Sequence, residues 1–415
     1  MKPIWKAAIV AILLSSMLLV GCGDAYRPVA IPISQPGGDP DFPDFVVAVQ
    51  QSASNLAGSI TVINVSGDTN MGNKPMGVGP VQGAFDGISQ IFTANPSDDT
   101  VTVTGVTAFT LTTVTLLAGS HPVFVTGRGV NMFAANSGAN SDCGSGSVSV
   151  ISATQLTVTK NICVGSDPVF LLQSADATRL FVLDKTDNNV TVINTQNNTV
   201  VTTIPVGTAP IWATLSPDNK FVYVLNQGSH SISTITVADN TALGTAVDTG
   251  GTLPNHMVLD SKFNRLYTVN KGSADVSVFD VSVPVPVSLH APIPVGASPV
   301  AITVLADGSR VFVANSGSAT LTEINASNFL ASPTPLTAST ASGATVTWVA
   351  SSRDGKRVYA SFVEPSNLTN GTAVFRTTDN QLATTINATP QNVTCVPSTT
   401  TSCPLQRPVY LFGSK

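Results

Sequence analysis

An all-β propeller is the fold this sequence predicts, and three observations carry it. A unit of four short runs rich in Val, Ile, Thr and aromatics recurs along the chain. Its second run returns as Phe92–Asn95, Phe133–Asn136, Phe181–Asp184, Tyr223–Asn226, Tyr267–Asn270, Phe312–Asn315 and, degraded, Tyr359–Phe362, with a weaker first copy at Phe45–Gln50; successive copies lie 41 to 48 residues apart. Runs such as Val190-Thr191-Val192 alternate apolar and small polar residues, the period of a strand, and Gly, Pro, Asn, Asp and Ser separate them as turns. Finally, hydrophobic residues make up 43% but charged residues only 10%, far below the roughly 25% of ordinary domains. Long charged side chains have little place between closely stacked sheets. A single four-stranded sheet of this length cannot bury both faces, so repetition at this period implies blades packed around an axis.

Taken in chain order, residues 1–21 stand outside the fold. Lys2 and Lys6 precede an apolar stretch, Ala7–Val20, too short for a membrane span of about 20 residues and suited to a signal peptide. Leu19-Val20-Gly21-Cys22 resembles the bacterial lipobox, which implies lipidation of Cys22 as the mature N-terminus. Residues 22–44 are rich in Pro and Gly and read as a flexible tether. The propeller domain is expected over 45–415.

Within it, strand A follows a Gly-x-x-Pro lead-in: Gly119–Pro122, Gly165–Pro168, Gly207–Pro210, Gly251–Pro254 and Gly296–Pro299. The A–B turns use pairs such as Asp218-Asn219, Asp307-Gly308 and Asp354-Gly355, which close tight hairpins. Strand B ends at an Asn whose side chain is expected to bond backbone amides of the next turn; Asp184 takes that place once. Phe45–Val49 reads as a B strand with no A strand before it. Pro408–Phe412 reads as an A strand with no B strand after it. The C-terminus is therefore expected to supply the innermost strand of the first blade, giving eight blades, with seven as the alternative.

Val-Tyr-Val-x-Asn, then Ser/Thr-Val-Ile-Asn, then Thr-Val-Val-x-Thr-Ile-Pro-Val-Gly and x-x-Pro, resembles the YVTN-type β-propeller repeat of the lactonase-like propellers. Residues 180–226 carry the match best. The resemblance implies the fold over about 45–415; its shared motif is turn and strand chemistry and implies no reaction. The chain departs from the pattern two residues after the lead-in Pro, where Phe124, Phe170, Trp212, His256 and Tyr410 stand in place of a small residue. These bulky side chains are expected to wedge between neighbouring blades near the axis, the alternative being an aromatic cage for a ligand.

Apart from Cys22, the cysteines number four. Export favours their pairing, and blade geometry favours Cys143 with Cys163 and Cys395 with Cys403, all on the face that carries the B–C and D–A loops. The spacings do not form Cys-x-x-Cys, so no metal site is expected.

On that same face the candidate ligand-binding residues are His121, Asp167, His256 and Arg407, able to meet an anion or a metal if they converge, and otherwise scattered loop residues. No catalytic residue is assigned and no cofactor is expected. Only two glutamates occur, Glu323 and Glu364, and no Gly-x-Ser-x-Gly elbow, P-loop, His-Glu-x-x-His or haem motif is present. The net charge is −5 with no basic stripe, which argues against nucleic acid. The reading that follows is a non-catalytic binding or scaffold module of a bacterial cell envelope, held on the membrane through lipid on Cys22, with a protein or glycan as partner. A lactonase-like hydrolase and a propeller subunit of a redox complex are the alternatives. Gly23 after the lipidated Cys lacks the Asp that marks inner-membrane retention in some bacteria, so by that resemblance the outer membrane is expected.

Overall fold

The computed structural model describes residues 45–52, 57–106, 110–364, 369–387 and 406–413. Cys22, the leader, the tether, Cys395 and Cys403 lie outside them. The described residues form eight sheets, seven of four strands and one whose outer strand is broken in two. Every pairing is antiparallel and runs A-B-C-D in chain order from the axis outward. Blade one is the exception that closes the ring. Its strands B, C and D are Phe45–Ser52, Ala57–Asn64 and Thr69–Val78, and its innermost strand is Gln406–Gly413, with Val46 opposite Gly413 and Val49 opposite Tyr410. Eight blades closed by the C-terminus is thus the observed arrangement.

Period-2 alternation explains why each blade is buried on both faces. On strand B of blade five, Phe221–Asn226, Val222 and Val224 pack toward Phe181 and Leu183 of blade four. Tyr223 and Leu225 pack toward Met257 and Leu266 of blade six. The same interlock spans the closure, where Val46 and Ala48 meet Tyr359 and Val374 of blade eight.

The B-strand Asn does something other than the sequence suggested. Its amide donates to hydroxyls of strand C: Asn226 Nδ2 to Ser231 Oγ at 3.2 Å and Ser233 Oγ at 2.9 Å, Asn95 to Thr100 and Thr102, Asn136 to Ser147 and Ser149, and Asn315 to Thr320 and Thr322. The turn amides are already bonded elsewhere: after Asn136, Asn226, Asn270 and Asn315 the next N–H donates to the carbonyl just before strand A of the same blade, as from Gln227 to Ala209 and from Lys271 to Leu253. The lead-in Gly is explained by the same group, since a Cβ at Gly207 would stand 2.6 Å from Asn226 Nδ2 and one at Gly251 2.3 Å from Asn270 Nδ2.

On the opposite face, three successive junctions share one device. The Arg that opens strand B reaches the left-handed C–D turn residue of the next blade. Arg265 lies 4.9 Å over the ring of Phe329, Arg310 Nη1 donates to Asn380 Oδ1 at 3.2 Å, and Arg357 Nε donates to Asp68 Oδ2 at 2.7 Å. The last of these joins blade eight to blade one, and the Tyr359 hydroxyl also donates to Asp68.

Candidate functional site at the axis and upper loops

In A-B-C-D blades the B–C and D–A loops emerge on one face, called upper here. His121 and Asp167 precede the lead-in Pro of blades three and four. They share their position with Ala209, Leu253 and Ser298, and all five take left-handed φ between 49° and 54°, a turn conformation few non-glycine residues adopt. Each carbonyl accepts the N–H just past the end of strand B of the same blade, as from Ser137 to His121 and from Lys185 to Asp167. The position is therefore a turn element, and its side chain varies freely. The His121 ring adds a local tie: Nδ1 lies 2.9 Å from the Pro96 carbonyl and 3.9 Å from Asp99, whose carboxylate also accepts the His121 N–H.

His256 belongs to a different environment. It is buried on strand A of blade six, Pro254–Asp260. Its ring lies 4.2 Å from that of Trp212 and 4.9 Å from that of Trp348. The Ile302 N–H of blade seven donates to Nδ1 at 3.3 Å, which leaves the ring proton on Nε2. Burial pushes the imidazole down to about 3, so it is neutral at physiological pH. His121 and His256 have no partner in common. Arg407 begins the closing strand, and its side chain lies outside the described residues.

The bulky residues of strand A do not wedge between blades singly. Phe124, Phe170, Trp212 and His256 stack in sequence, with ring centroids 4.4, 4.5 and 4.2 Å apart, and Trp212 also meets Trp348 at 5.9 Å. Blades five and eight are three places apart, so that last contact requires both indoles to reach the axis. Blade seven has the small Ala301 at this level, which leaves the room Trp348 occupies. Aromatic rings prefer such tilted and edge-on contacts to leaving their faces wet.

Two residues of this layer escaped the sequence reading. Trp348 was hidden because blade eight lacks a lead-in Pro. The signal that finds it is its spacing of eleven residues to the B-strand aromatic, shared by Trp212 with Tyr223, His256 with Tyr267 and Trp348 with Tyr359. Gln82 is the other. It sits two residues after Pro80, as His256 does after Pro254, and its Oε1 accepts the Val125 N–H of blade three at 2.7 Å. Val125 and Ile302 both lie three residues after their Pro. Gln82 and His256 thus perform one task, capping a main-chain amide that the next innermost strand turns toward the axis, which would otherwise be a costly unpaired donor.

Cys143 and Cys163 are bonded, with Cα atoms 5.3 Å apart, as expected. The bridge ties the long B–C loop of blade three to its outer strand. Two depressions of about 280 and 340 Å³ lie elsewhere, one lined by Ser339, Phe362 and Glu364 and the other by Asp218, Lys220 and Asn264. No cluster of three or more metal-ligating side chains occurs among the described residues.

The family model described as lactonase, 7-bladed beta-propeller, matches residues 207–284, which is blade five and the first three strands of blade six. The ring is a lactonase-like propeller fold. No curated protein matches the chain by sequence. Among solved structures, it is similar to dihydro-heme d1 dehydrogenase NirN in complex with DHE, at 12% identity and a TM-score of 0.67 over 93% of this chain and 78% of that chain. It is similar to Kuenenia stuttgartiensis hydrazine synthase at 18% identity and a TM-score of 0.54, over 72% of this chain and 96% of that chain. A putative 6-phosphogluconolactonase from Bacteroides fragilis gives 17% identity and a TM-score of 0.54, over 71% and 95%. At these identities the likeness is one of fold. The last two leave more than a quarter of this chain uncovered, less than the eight blades span, whereas the first reaches nearly all of it.

Proposed function

We propose that this chain is a lipid-anchored propeller of a bacterial cell envelope, outer membrane by preference, that binds a protein or glycan through its rim and loops without catalysing a reaction. The observation that carries the reading is the aromatic layer at the axis. It consumes His256 as a neutral, buried acceptor. His121 and Asp167 serve as turn residues interchangeable with Ala209 and Leu253. A general acid and base need two titratable groups held at one site, and these residues have separate structural duties. The lipobox and the Pro/Gly-rich tether support display at a membrane surface.

Two experiments test this. Cys22→Ser is expected to move the protein from the membrane fraction to the soluble fraction; unchanged sedimentation with membranes would overturn the anchor. The purified protein is expected to leave the hydrolysis of a sugar lactone at its spontaneous rate. Turnover above that rate, lost in His256→Phe, would establish instead a lactonase-like hydrolase acting near His121, Asp167, His256 and Arg407, the reading favoured by the match over 207–284.

A further inference from the structure

We propose that the outer strand of blade two, Leu111–Thr115, is a strand-pairing edge and that its occupant is a second copy of this chain. The outermost strand of any blade presents unpaired main-chain groups, and natural sheets blunt such edges with bulges, prolines, charges or interruptions. Blade by blade, the described outer strands do so. That of blade one carries Lys74, Pro75 and two register shifts; that of blade three carries Lys160 and a shift. Those of blades four, five and eight are each interrupted by a shift. Blade six has two shifts and Pro292, and blade seven is broken between Leu330–Ala331 and Leu336–Thr337 around Pro333 and Pro335.

Blade two has none of these. Thr100 to Thr104 pair with Thr115 to Leu111 in unbroken register. No charged residue occurs between Asp99 and His121. Leu111, Thr112, Thr113 and Thr115 are exposed.

The geometry also says which partner fits. At the two ends of the ladder, Gly105 N–H donates to the Thr110 carbonyl and Leu116 N–H donates to that of Asp99. Antiparallel bonding alternates, so Thr112 and Val114 turn their main-chain groups inward. Leu111, Thr113 and Thr115 then turn theirs outward. This set is symmetric about Thr113. A second copy related by a two-fold axis there would pair Thr113 with Thr113 and Leu111 with Thr115, so that every outward donor faces an outward acceptor. The cross-strand pairs are Thr–Thr, Leu–Thr and Thr–Val, which suit a sheet, and no charges are brought together. Two blades would merge into one continuous sheet, by the edge addition that extended peptides use elsewhere. The interface is small, so the dimer is expected to be weak.

The test uses the full chain in detergent. Sedimentation velocity is expected to show a monomer–dimer equilibrium, weakened at least about ten-fold by Thr113→Lys, which sets two like charges together at the axis. The melting temperature of that exposed variant should stay at the wild-type value, separating lost pairing from lost folding. In Thr113→Cys, the paired Cα atoms would lie about 5.5 Å apart, within disulfide range. Mild oxidation should therefore give a symmetric cross-link between the two copies of this position, seen by peptide mass spectrometry. Val200→Cys on the bulged outer strand of blade four should not cross-link to itself. A wild-type chain that stays monomeric to about 1 mM, where even an interaction of only about −4 kcal/mol would populate the dimer, overturns the proposal. So does a dimer indifferent to Thr113→Lys, or a Thr113→Cys chain that links to a different envelope protein and not to itself.

Discussion

Blade five and blade one reach the same sheet by different routes. Blade five is one continuous run, Pro210–Asp248, whose innermost strand turns into the next through a tight hairpin. There Asn219 takes a left-handed φ of 59° and Ser216 Oγ bonds Asp218. Blade one draws three strands from residues 45–78 and its innermost strand from 406–413. Its strand order and antiparallel pairing are nonetheless those of blade five. A blade is therefore specified by its ladder and by the two neighbours that bury its faces, not by chain continuity. The cost falls elsewhere. The Arg357–Asp68 contact spans 289 residues of sequence, so closing the ring loses loop entropy that no local hairpin loses. The ring-closing contacts must supply what the turn supplies in blade five.

Removing residues 406–415 should have the largest effect, a fall in melting temperature of about 10 °C or more, because it opens the inner edge of blade one and unseats its neighbours. A melting temperature unchanged by the deletion would show that the closing strand contributes nothing. Connectivity of a different kind is tested by Cys143→Ser with Cys163→Ser. The bridge closes 20 residues, and its loss should cost about 3 kcal/mol in chemical denaturation if chain entropy governs it. Arg357→Ala leaves Asp68, whose side chain is only 13% exposed, without its cation, and should cost about 2 kcal/mol. Arg310→Ala, at a junction within continuous chain, likewise leaves a carboxylate only 13% exposed, Glu323, without its cation, and should cost about as much; a clearly smaller cost would show that the closing junction is held more strongly than an ordinary one.

The smallest effect should come from Asp184→Asn, and it carries a pH signature. Burial pushes the Asp184 carboxyl up to about 7, against an ordinary value of 3.8. The folded state therefore holds a proton that the unfolded state releases between about pH 4 and 7, so stability falls as pH rises through that window and stays low above it. Thr191 donates to Oδ2 while the buried Oδ1 of Asn189 has no donor. The amide introduced by the substitution would supply one, as Asn226 does for Ser231. Asp184→Asn should thus gain about 1–2 kcal/mol at pH 8 and flatten the profile from pH 4 to 7; a variant as pH-dependent as the wild type would sink the assignment.

Most of the fold was legible because repetition amplifies it. The B-strand aromatic and its Asn recur often enough to set the register, and one blade's turn chemistry confirms the next. The split first blade was legible because a B strand without an A strand and an A strand without a B strand complement each other. The Asn partner was misread because a turn amide and a strand C hydroxyl are both within sequence reach of it, and only the backbone path separates them. At the axis, the five bulky positions after the lead-in Pro were visible as departures from the repeat. Trp348 was not, since blade eight lacks the lead-in Pro, and Gln82, although it follows Pro80, lacks the aromatic ring that marks the other positions.

What the sequence determined by itself is everything local or periodic: strand and turn identities, the blade count, the closing strand and the Cys143–Cys163 pair. The tertiary structure alone decided what happens where all blades meet. Whether Trp212 stacks on Trp348, whether His256 is a ligand or a buried acceptor, and whether Arg357 finds Asp68 depend on distances across the ring. Period-2 patterning records which face of a strand a residue takes. It holds no record of which residue from a distant blade arrives at the same point in space.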